Sequence, residues 1–442
     1  VKLRQLRSSW LLIFGFFIIG YMVGEHGERI VSAVTDKNYE NLKLFSDVLY
    51  IIQKDYVEEP EVDQLVEGAI NGMLSTLDPH SSYMSPDVYK EMQVETQGKF
   101  GGLGIEITIK DDILTVVAPI EDTPAYQAGI KAGDQIVKIG EEFTKNMTMF
   151  DAVKKLRGKE GTKVTLTIMR EGFTQPKDFT LTRATIQIKS VKSKIVDEKI
   201  GYLRITQFQE QTTRDFRKAL AELESNVPSL QGLILDLRNN PGGLLDSAVE
   251  VSDEFIDSGL IVYTEGRSEG QRMEFKAKNN EPKHHHPMIV LVNAGTASGS
   301  EIVAGALQDY GLAVLLGTST FGKGSVQTVI PLDNGAGLRL TTAKYFTPKG
   351  RSIHAKGIEP DVIVEDKTEP EEASSPKVRI MREKDLENFY RNGKLKEKSE
   401  DVSKEVPEKN QGETPDDPQL NQAIGILKSW EIFKGKDSNK PA

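Results

Sequence analysis

Along the 442-residue chain the spacing of apolar positions changes character in blocks, and each block predicts a different structure. The first block is an uninterrupted apolar run from Trp10 to Val23, with Lys2, Arg4 and Arg7 ahead of it and Glu25, His26, Glu28 and Arg29 behind. At 1.5 Å per residue it covers about 21 Å, short of a bilayer core of about 30 Å. A basic start before an apolar segment is the pattern that export machinery reads, so residues 1–35 are expected to be a signal sequence or a membrane anchor. Val31-Ser32-Ala33 offers small residues for cleavage, and both outcomes stay open. Over 36–95 the period becomes helical: Leu42, Phe45, Leu49 and Ile52, then Val62, Leu65, Val66, Ile70 and Leu74, predict two helices.

Residues 96–183 turn to strands and glycine turns. Gly101–Ile107 runs from a glycine-rich loop into an alternating strand, Ile113–Val117 and Val164–Met169 are further strands, and Pro124–Ile130 and Ala152–Leu156 are short helices. Between 184 and 366, Leu233–Leu237 and Met288–Val292 are continuous apolar runs, as strands buried on both faces require. Helical stretches through Thr213–Glu224, Leu245–Phe255 and Ser300–Asp309 lie between or beside them. Residues 367–442 open with Lys, Glu, Pro and Ser, which predicts a charged, solvated arm to about Asp416. Helical periodicity then returns through Leu420, Ile424, Leu427 and Trp430. The pattern describes a multidomain protein: a helical N-terminal region, a β-rich module, an α/β core, and a charged C-terminal arm with a terminal helix.

Composition narrows the partners. With 56 basic against 66 acidic residues and a net charge of -10, the chain lacks the basic footprint of a nucleic-acid binder. It has no cysteine, which removes disulfides, thiol nucleophiles and thiolate metal sites together.

Three segments carry candidate chemistry. In Asn293-Ala294-Gly295-Thr296-Ala297-Ser298-Gly299-Ser300-Glu301, hydroxyls sit where a buried strand gives way to a helix, whose first amides favour developing negative charge. Ser298 or Ser300 followed by Glu301 also describes an ordinary helix cap. In Thr320-Phe321-Gly322-Lys323-Gly324-Ser325-Val326-Gln327, the intervening helix and strand bring Lys323 back toward the same end of the sheet. To act as a base its amine must be neutral near pH 7, a fall of roughly 3 units from about 10.4. A phosphate-loop reading of this segment fails, because Gly324 stands where Ser or Thr must follow the lysine. In Asp236-Leu237-Arg238-Asn239-Asn240-Pro241-Gly242-Gly243, a strand ends in a turn whose paired glycines can present N–H groups to an oxyanion. His284, His285 and His286 look like metal ligands, but adjacent residues do not converge on one ion without help from elsewhere, so no metal or cofactor is expected.

Taken together these segments resemble the carboxyl-terminal processing (tail-specific) serine proteases of peptidase family S41, from about Asn41 to Asp366. The resemblance rests on Leu77-Asp78-Pro79-His80-Ser81, Gly98-Lys99-Phe100-Gly101-Gly102-Leu103-Gly104-Ile105, the Asp236–Gly243 and Thr296-Ala297-Ser298 segments, Phe321-Gly322-Lys323-Gly324 and Gly357-Ile358-Glu359-Pro360-Asp361, in family order. It implies a crotonase-like α/β serine protease core over 184–366, with Ser298 as nucleophile, Lys323 as base, Gln327 in support, and the amides of Gly299 and Gly242 at the oxyanion. Whether Gly242 or Gly243 donates is left open, and Gly299 departs from the family's usual alanine. Ser300 is the rival nucleophile on chemistry alone.

The module at 96–183 resembles a PDZ domain, which adds a peptide to a sheet edge and captures its terminal carboxylate. Leu103, Gly104 and Ile105 are expected to donate amides there, and Leu103, Ile105 and Ile107 to favour a hydrophobic last residue. Arg157, at the end of the module's second helix, is expected to sense the bound peptide or bridge to the protease half. The likeness leans toward enzymes of spore-forming Gram-positive bacteria. It implies an extracytoplasmic, secreted or membrane-attached endopeptidase, a homodimer through the helical N-terminal region and the terminal helix, and signalling proteolysis in sporulation. The rival reading is a non-catalytic PDZ scaffold, which has no reason to keep a lysine beside a serine.

Overall fold

The computed structural model describes residues 36–110, 112–278, 283–365, 381–391 and 417–437, so the N-terminal apolar run lies outside the described residues. Among the described residues no helix is long and apolar enough to cross a membrane. The chain divides into two units between Thr76 and Leu77. The first holds the two expected helices, Asp36–Asp55 and Val62–Leu74. Leu42, Phe45 and Ile51 on the longer helix and Val62, Val66 and Met73 on the shorter are exposed apolar side chains.

In the second unit the continuous apolar runs form a six-stranded sheet in the order Val191–Val196, Ile200–Ile205, Gly232–Asp236, Met288–Val292, Val314–Gly317 and Val362–Ile363. The first pair is antiparallel and every later pair parallel. Alternation along each strand sorts its side chains between two layers. Leu233, Leu235, Val290 and Val292 join the core beneath helices Thr212–Asn226, Leu245–Asp253 and Gly299–Asp309. Ile234, Ile289 and Leu291 face the opposite side, where Ala423 and Leu427 of the terminal helix Pro418–Asp437 cover them. That helix therefore spends its buried apolar residues on its own sheet rather than on a second copy, a correction to the expected dimer surface. Asp417 and Gln419 at its start accept hydrogen bonds from Arg238 at 3.0 Å each.

The β-rich module has the sheet order Ile105–Lys110, Ile113–Pro119, Gln135–Ile139, Lys163–Met169 and Lys177–Thr182, with Ile105–Lys110 at an edge. Its entry and exit segments pair with each other, Lys99–Gly102 against Ala184–Gln187. The helix Pro86–Gln97, not expected from the pattern, precedes the module and ends on Gly98 in the left-handed region (φ 68°). A further sheet joins Ser82–Met84, Ser325–Pro331, Gly337–Phe346, Leu260–Gly266 and Met273–Lys276. The charged arm also differs from expectation. Within it Glu383–Arg391 is a helix, and Glu383 is buried.

Candidate active site

The strand Met288–Val292 delivers the chain to Ser298 through a turn tied at several points. Thr296 Oγ1 donates to Leu237 O at 2.8 Å and the Ala297 N–H to Asn240 O at 2.9 Å. Ser298 itself has φ 54° and ψ -115°, a conformation of order 1–3 kcal/mol above the ordinary for a residue with a Cβ, and it survives because these bonds over-determine it. Its side chain is half-buried at the head of the helix Gly299–Asp309, whose first amides have no partner within the helix. The rival Ser300 is buried, and its Oγ donates to Asn240 O at 3.0 Å. That hydroxyl is enclosed by its own turn.

Glu301 joins the two candidate segments. Its buried carboxylate takes four donors, two on each oxygen. Oε1 accepts from Thr320 Oγ1 at 2.5 Å and Gly322 N at 2.8 Å. Oε2 accepts from Ser298 N at 2.8 Å and Lys323 N at 2.9 Å. The main chains of Ser298 and Lys323 thus meet on one oxygen atom. Burial pushes the Glu301 carboxyl up to about 7, against the four donors, which favour the anion. Sequence spacing offers Glu301 only as a helix cap; its link to residues 320–323 depends on the fold.

Lys323 sits between Gly322, with φ 95°, and Gly324, where a Cβ would fall 2.2 Å from His354 N, so only glycine fits. Burial, with a smaller push from Arg339, lowers the pKa of its amine, and Glu383 and Glu301 work in the opposite direction. Among the described residues no hydrogen bond joins Lys323 Nζ to Ser298 Oγ. Gln327 Nε2 donates to Ser325 Oγ at 3.1 Å and Thr341 Oγ1 at 3.2 Å. Thr341 Oγ1 in turn donates to Asp78 Oδ1 at 3.2 Å. Burial raises the Asp78 pKa, yet bonds from the His80 and Ser81 amides, Ser81 Oγ and Thr341 hold it below the usual range. His80 Nε2 lies 2.7 Å from Glu383 Oε1, and the Glu383 amide donates to Phe321 O, so the helix Glu383–Arg391 rests beside the lysine loop. Arg339 and Glu383 are site neighbours that the sequence reading does not single out, while Asp78 and His80 enter it only within the Leu77–Ser81 motif of the resemblance.

The turn Asn240–Gly243 packs against Ser298. A Cβ on Gly242 (φ +99°) would come within 2.8 Å of Ser298 Cβ and of Gly299 N. The Gly242 N–H is engaged by Asn240 Oδ1 at 2.9 Å. The bridge that holds Gly243 uses Gly242 O and the Leu244 N–H, leaving the Gly243 amide out of it.

Away from this cluster, Leu103, Gly104, Ile105, Ile107 and Arg157 line one groove of the β-rich module together with Phe100 and Leu156. Arg157 lies 4.4 Å over the Phe100 ring and pairs through Nη1 with Glu91 on the helix Pro86–Gln97. It is therefore held between that ring and that carboxylate.

Profiles of known families match three stretches: "Activating protease CtpB N-terminal domain" over residues 24–88, "PDZ domain" over 91–169 and "Peptidase family S41" over 199–364. A carboxy-terminal-processing protease of Bartonella bacilliformis is 43% identical over 419 residues, covering 93% of this chain and 95% of its own. The chain belongs to peptidase family S41. It is a carboxy-terminal processing protease, a serine-type endopeptidase with a PDZ domain. Carboxy-terminal processing protease CtpA of Bacillus subtilis is 41% identical, covering 71% of this chain and 67% of its own. Among solved structures, a photosystem II D1 C-terminal processing protease aligns at 30% identity and a TM-score of 0.43, covering 73% of this chain and 92% of that one.

For this S41 peptidase the Gly299 departure is testable. Gly299 is the first residue of its helix, has no left-handed φ, and an added Cβ would meet Ala248 Cβ at 3.4 Å, an ordinary contact. Gly299→Ala should raise stability by about 0.4–1 kcal/mol by restricting the unfolded chain, with cleavage retained. Thermal melting checks it; a lower melting temperature would mean that the site needs glycine there.

Proposed function

We propose that the chain is an exported endopeptidase with a Ser298–Lys323 dyad, acting on proteins whose hydrophobic C-terminal tails its PDZ domain holds. The observation that carries this reading is the shared Glu301 oxygen, which fixes a strained serine and a lysine of lowered pKa to one point. In the proposed reaction neutral Lys323 takes the Ser298 Oγ proton as the oxygen attacks the scissile carbonyl. The oxyanion forms toward the Gly299 amide and the Gly242-Gly243 turn, Gly243 offering the amide that Asn240 does not hold. Lys323 then passes its proton to the leaving amine, and water hydrolyses the acyl-enzyme. Gln327, tethered through Nε2, keeps its side-chain oxygen for an N–H of Lys323.

Terminal mapping tests the whole reading. The chain lacking its N-terminal apolar run is incubated with its host's exported proteome beside a Ser298→Ala control. New termini confined to the active enzyme, in proteins ending in hydrophobic residues, support it and reveal whether the substrates are signalling partners of sporulation. Equal termini in both samples would overturn it. The exposed apolar side chains of helices Asp36–Asp55 and Val62–Leu74 are too many to stand alone in water, and we assign them to a homodimer. Light scattering giving a monomer at micromolar concentration would contradict that. The apolar run Trp10 to Val23 supplies export and membrane association.

Arg157 is proposed to couple the groove to the protease half. Its partner Glu91 lies on the helix that follows Ser82–Met84, and that strand pairs with Gly337–Leu338-Arg339 beside the lysine. Arg157→Ala should keep the fold and lower turnover of protein substrates about tenfold or more, as expected when a coupling of 1–3 kcal/mol is lost. A hydrophobic-tailed peptide added in trans should accelerate cleavage of a separate substrate by the wild type and not by the variant. Equal rates would reduce the PDZ domain to a tether.

A further inference from the structure

The help that the three consecutive histidines lack in sequence is supplied by the fold. His284 and His286 stand two residues apart in the extended approach to the strand Met288–Val292, so their rings leave the chain on one side. His285 leaves on the other and meets Asp257 Oδ1 at 3.2 Å. Glu224, in the last turn of helix Thr212–Asn226, faces the pair. Its Oε1 lies 2.8 Å from His284 Nδ1 and 2.7 Å from His286 Nε2. One ligand atom from each of the three residues lies within 4.8 Å of the others.

Glu224 Oε1 can accept from both rings, but hydrogen bonds alone leave one ring atom unmatched. A neutral His284 that donates through Nδ1 leaves a bare lone pair on Nε2, and that atom faces Glu254 Oε2 at 3.9 Å. A divalent ion removes the conflict. Nδ1 of His284 and Nε2 of His286 then turn their lone pairs to the metal, and the remaining His284 proton moves to Nε2, aimed at Glu254. A metal-bound histidine ordinarily keeps such a carboxylate behind it. Glu254 is itself held by Arg217 Nε at 2.6 Å, and the His284 amide donates to Glu254 O at 3.0 Å.

We propose that Glu224, His284 and His286 form a binding site for a divalent transition-metal ion of the zinc class. Two imidazole nitrogens and one carboxylate suit zinc, with a fourth position left for water, and disfavour calcium and magnesium, which seek all-oxygen shells. The three side chains are 27%, 22% and 29% exposed for His284, His286 and Glu224, so an ion reaches them from solvent. Both histidines also border a cavity of about 450 Å³. The site lies at the opposite end of the strand Met288–Val292 from Ser298. Its ion therefore takes no part in peptide cleavage and instead pins the start of that strand to helix Thr212–Asn226.

The test uses the untagged full chain, stripped with EDTA and dialysed. Zinc is titrated in competition with a chromophoric chelator, and melting temperature is read with and without the ion. The expected result is one saturable site per chain, unaffected by excess magnesium or calcium, with a rise of several degrees in melting temperature when zinc is about 100 times its Kd. Glu224→Gln, which keeps size and shape, and His286→Ala should each weaken zinc by more than about 100-fold, beyond the cost of losing an outer partner alone, and abolish the thermal shift. Absence of saturable zinc binding in the wild type, or equally tight binding in both folded variants, would overturn the assignment. Retention by the variants would include the case of an ion bound at the separate cluster of His354, Glu383 and Glu387.

Discussion

Ser298→Ala is expected to abolish peptide cleavage, and Lys323→Ala to lower kcat/KM by about 10³-fold or more, because no neighbouring group can replace the attacking oxygen or its proton acceptor. Ser300 cannot substitute, since its hydroxyl is buried against Asn240 O. Lys323→Arg should be as inactive as the alanine variant, a guanidinium being protonated at any working pH. The pH profile carries a sharper signature. Burial and Arg339 lower the Lys323 pKa from 10.5, and Glu383 and Glu301 oppose them. The base works when neutral, so activity rises with pH through the lysine pKa. Glu383→Gln removes a charge that favours the ammonium, so the rising limb should move to lower pH. Arg339→Ala removes a charge that disfavours it, and the limb should move to higher pH. Measured kcat/KM profiles check both signs. Substantial cleavage by folded Ser298→Ala or Lys323→Ala, or limbs that do not move, would remove the lysine from the reaction.

Much of the scaffold is legible because burial on both faces writes itself as uninterrupted apolar runs. Leu233–Leu237 and Met288–Val292 announce central strands, and the helices between them follow from their period. Contacts between distant segments are less legible. Leu420, Ile424 and Leu427 reveal an amphipathic helix, but their spacing is the same whether the apolar face meets its own sheet or another copy. Helix Glu383–Arg391 is hidden in a charged stretch, since its buried anchor is a glutamate whose partner His80 lies 303 positions earlier. The histidine run looked unpromising for a related reason: Glu224, the carboxylate that completes the cluster, lies 60 positions before His284. The segments around Ser298 and Lys323 stand out through small residues and glycines, but the choice of Ser298 over Ser300 rests on the family resemblance, whereas Glu301 has a sufficient local explanation as a cap that conceals its longer reach.

That reach makes Glu301→Gln the second severe substitution, although it changes neither size nor shape. Gln offers one acceptor oxygen and one NH₂ group. In either orientation the NH₂ faces a pair of donors, Ser298 N with Lys323 N on one side or Thr320 Oγ1 with Gly322 N on the other. The threonine hydroxyl can rotate to accept, but the three amides cannot. The buried mismatch should cost about 2–4 kcal/mol of stability. It should also lower kcat about 10²-fold, because misplacing a reacting group by about 1 Å is enough for that loss. KM should change little, since Glu301 is enclosed and acts through the residues it positions. Thermal melts, set beside kcat and KM, separate a positioning carboxylate from a simple helix cap. As a capping-box residue alone, Gln would keep the bond to the Ser298 amide, cost little and leave kcat intact.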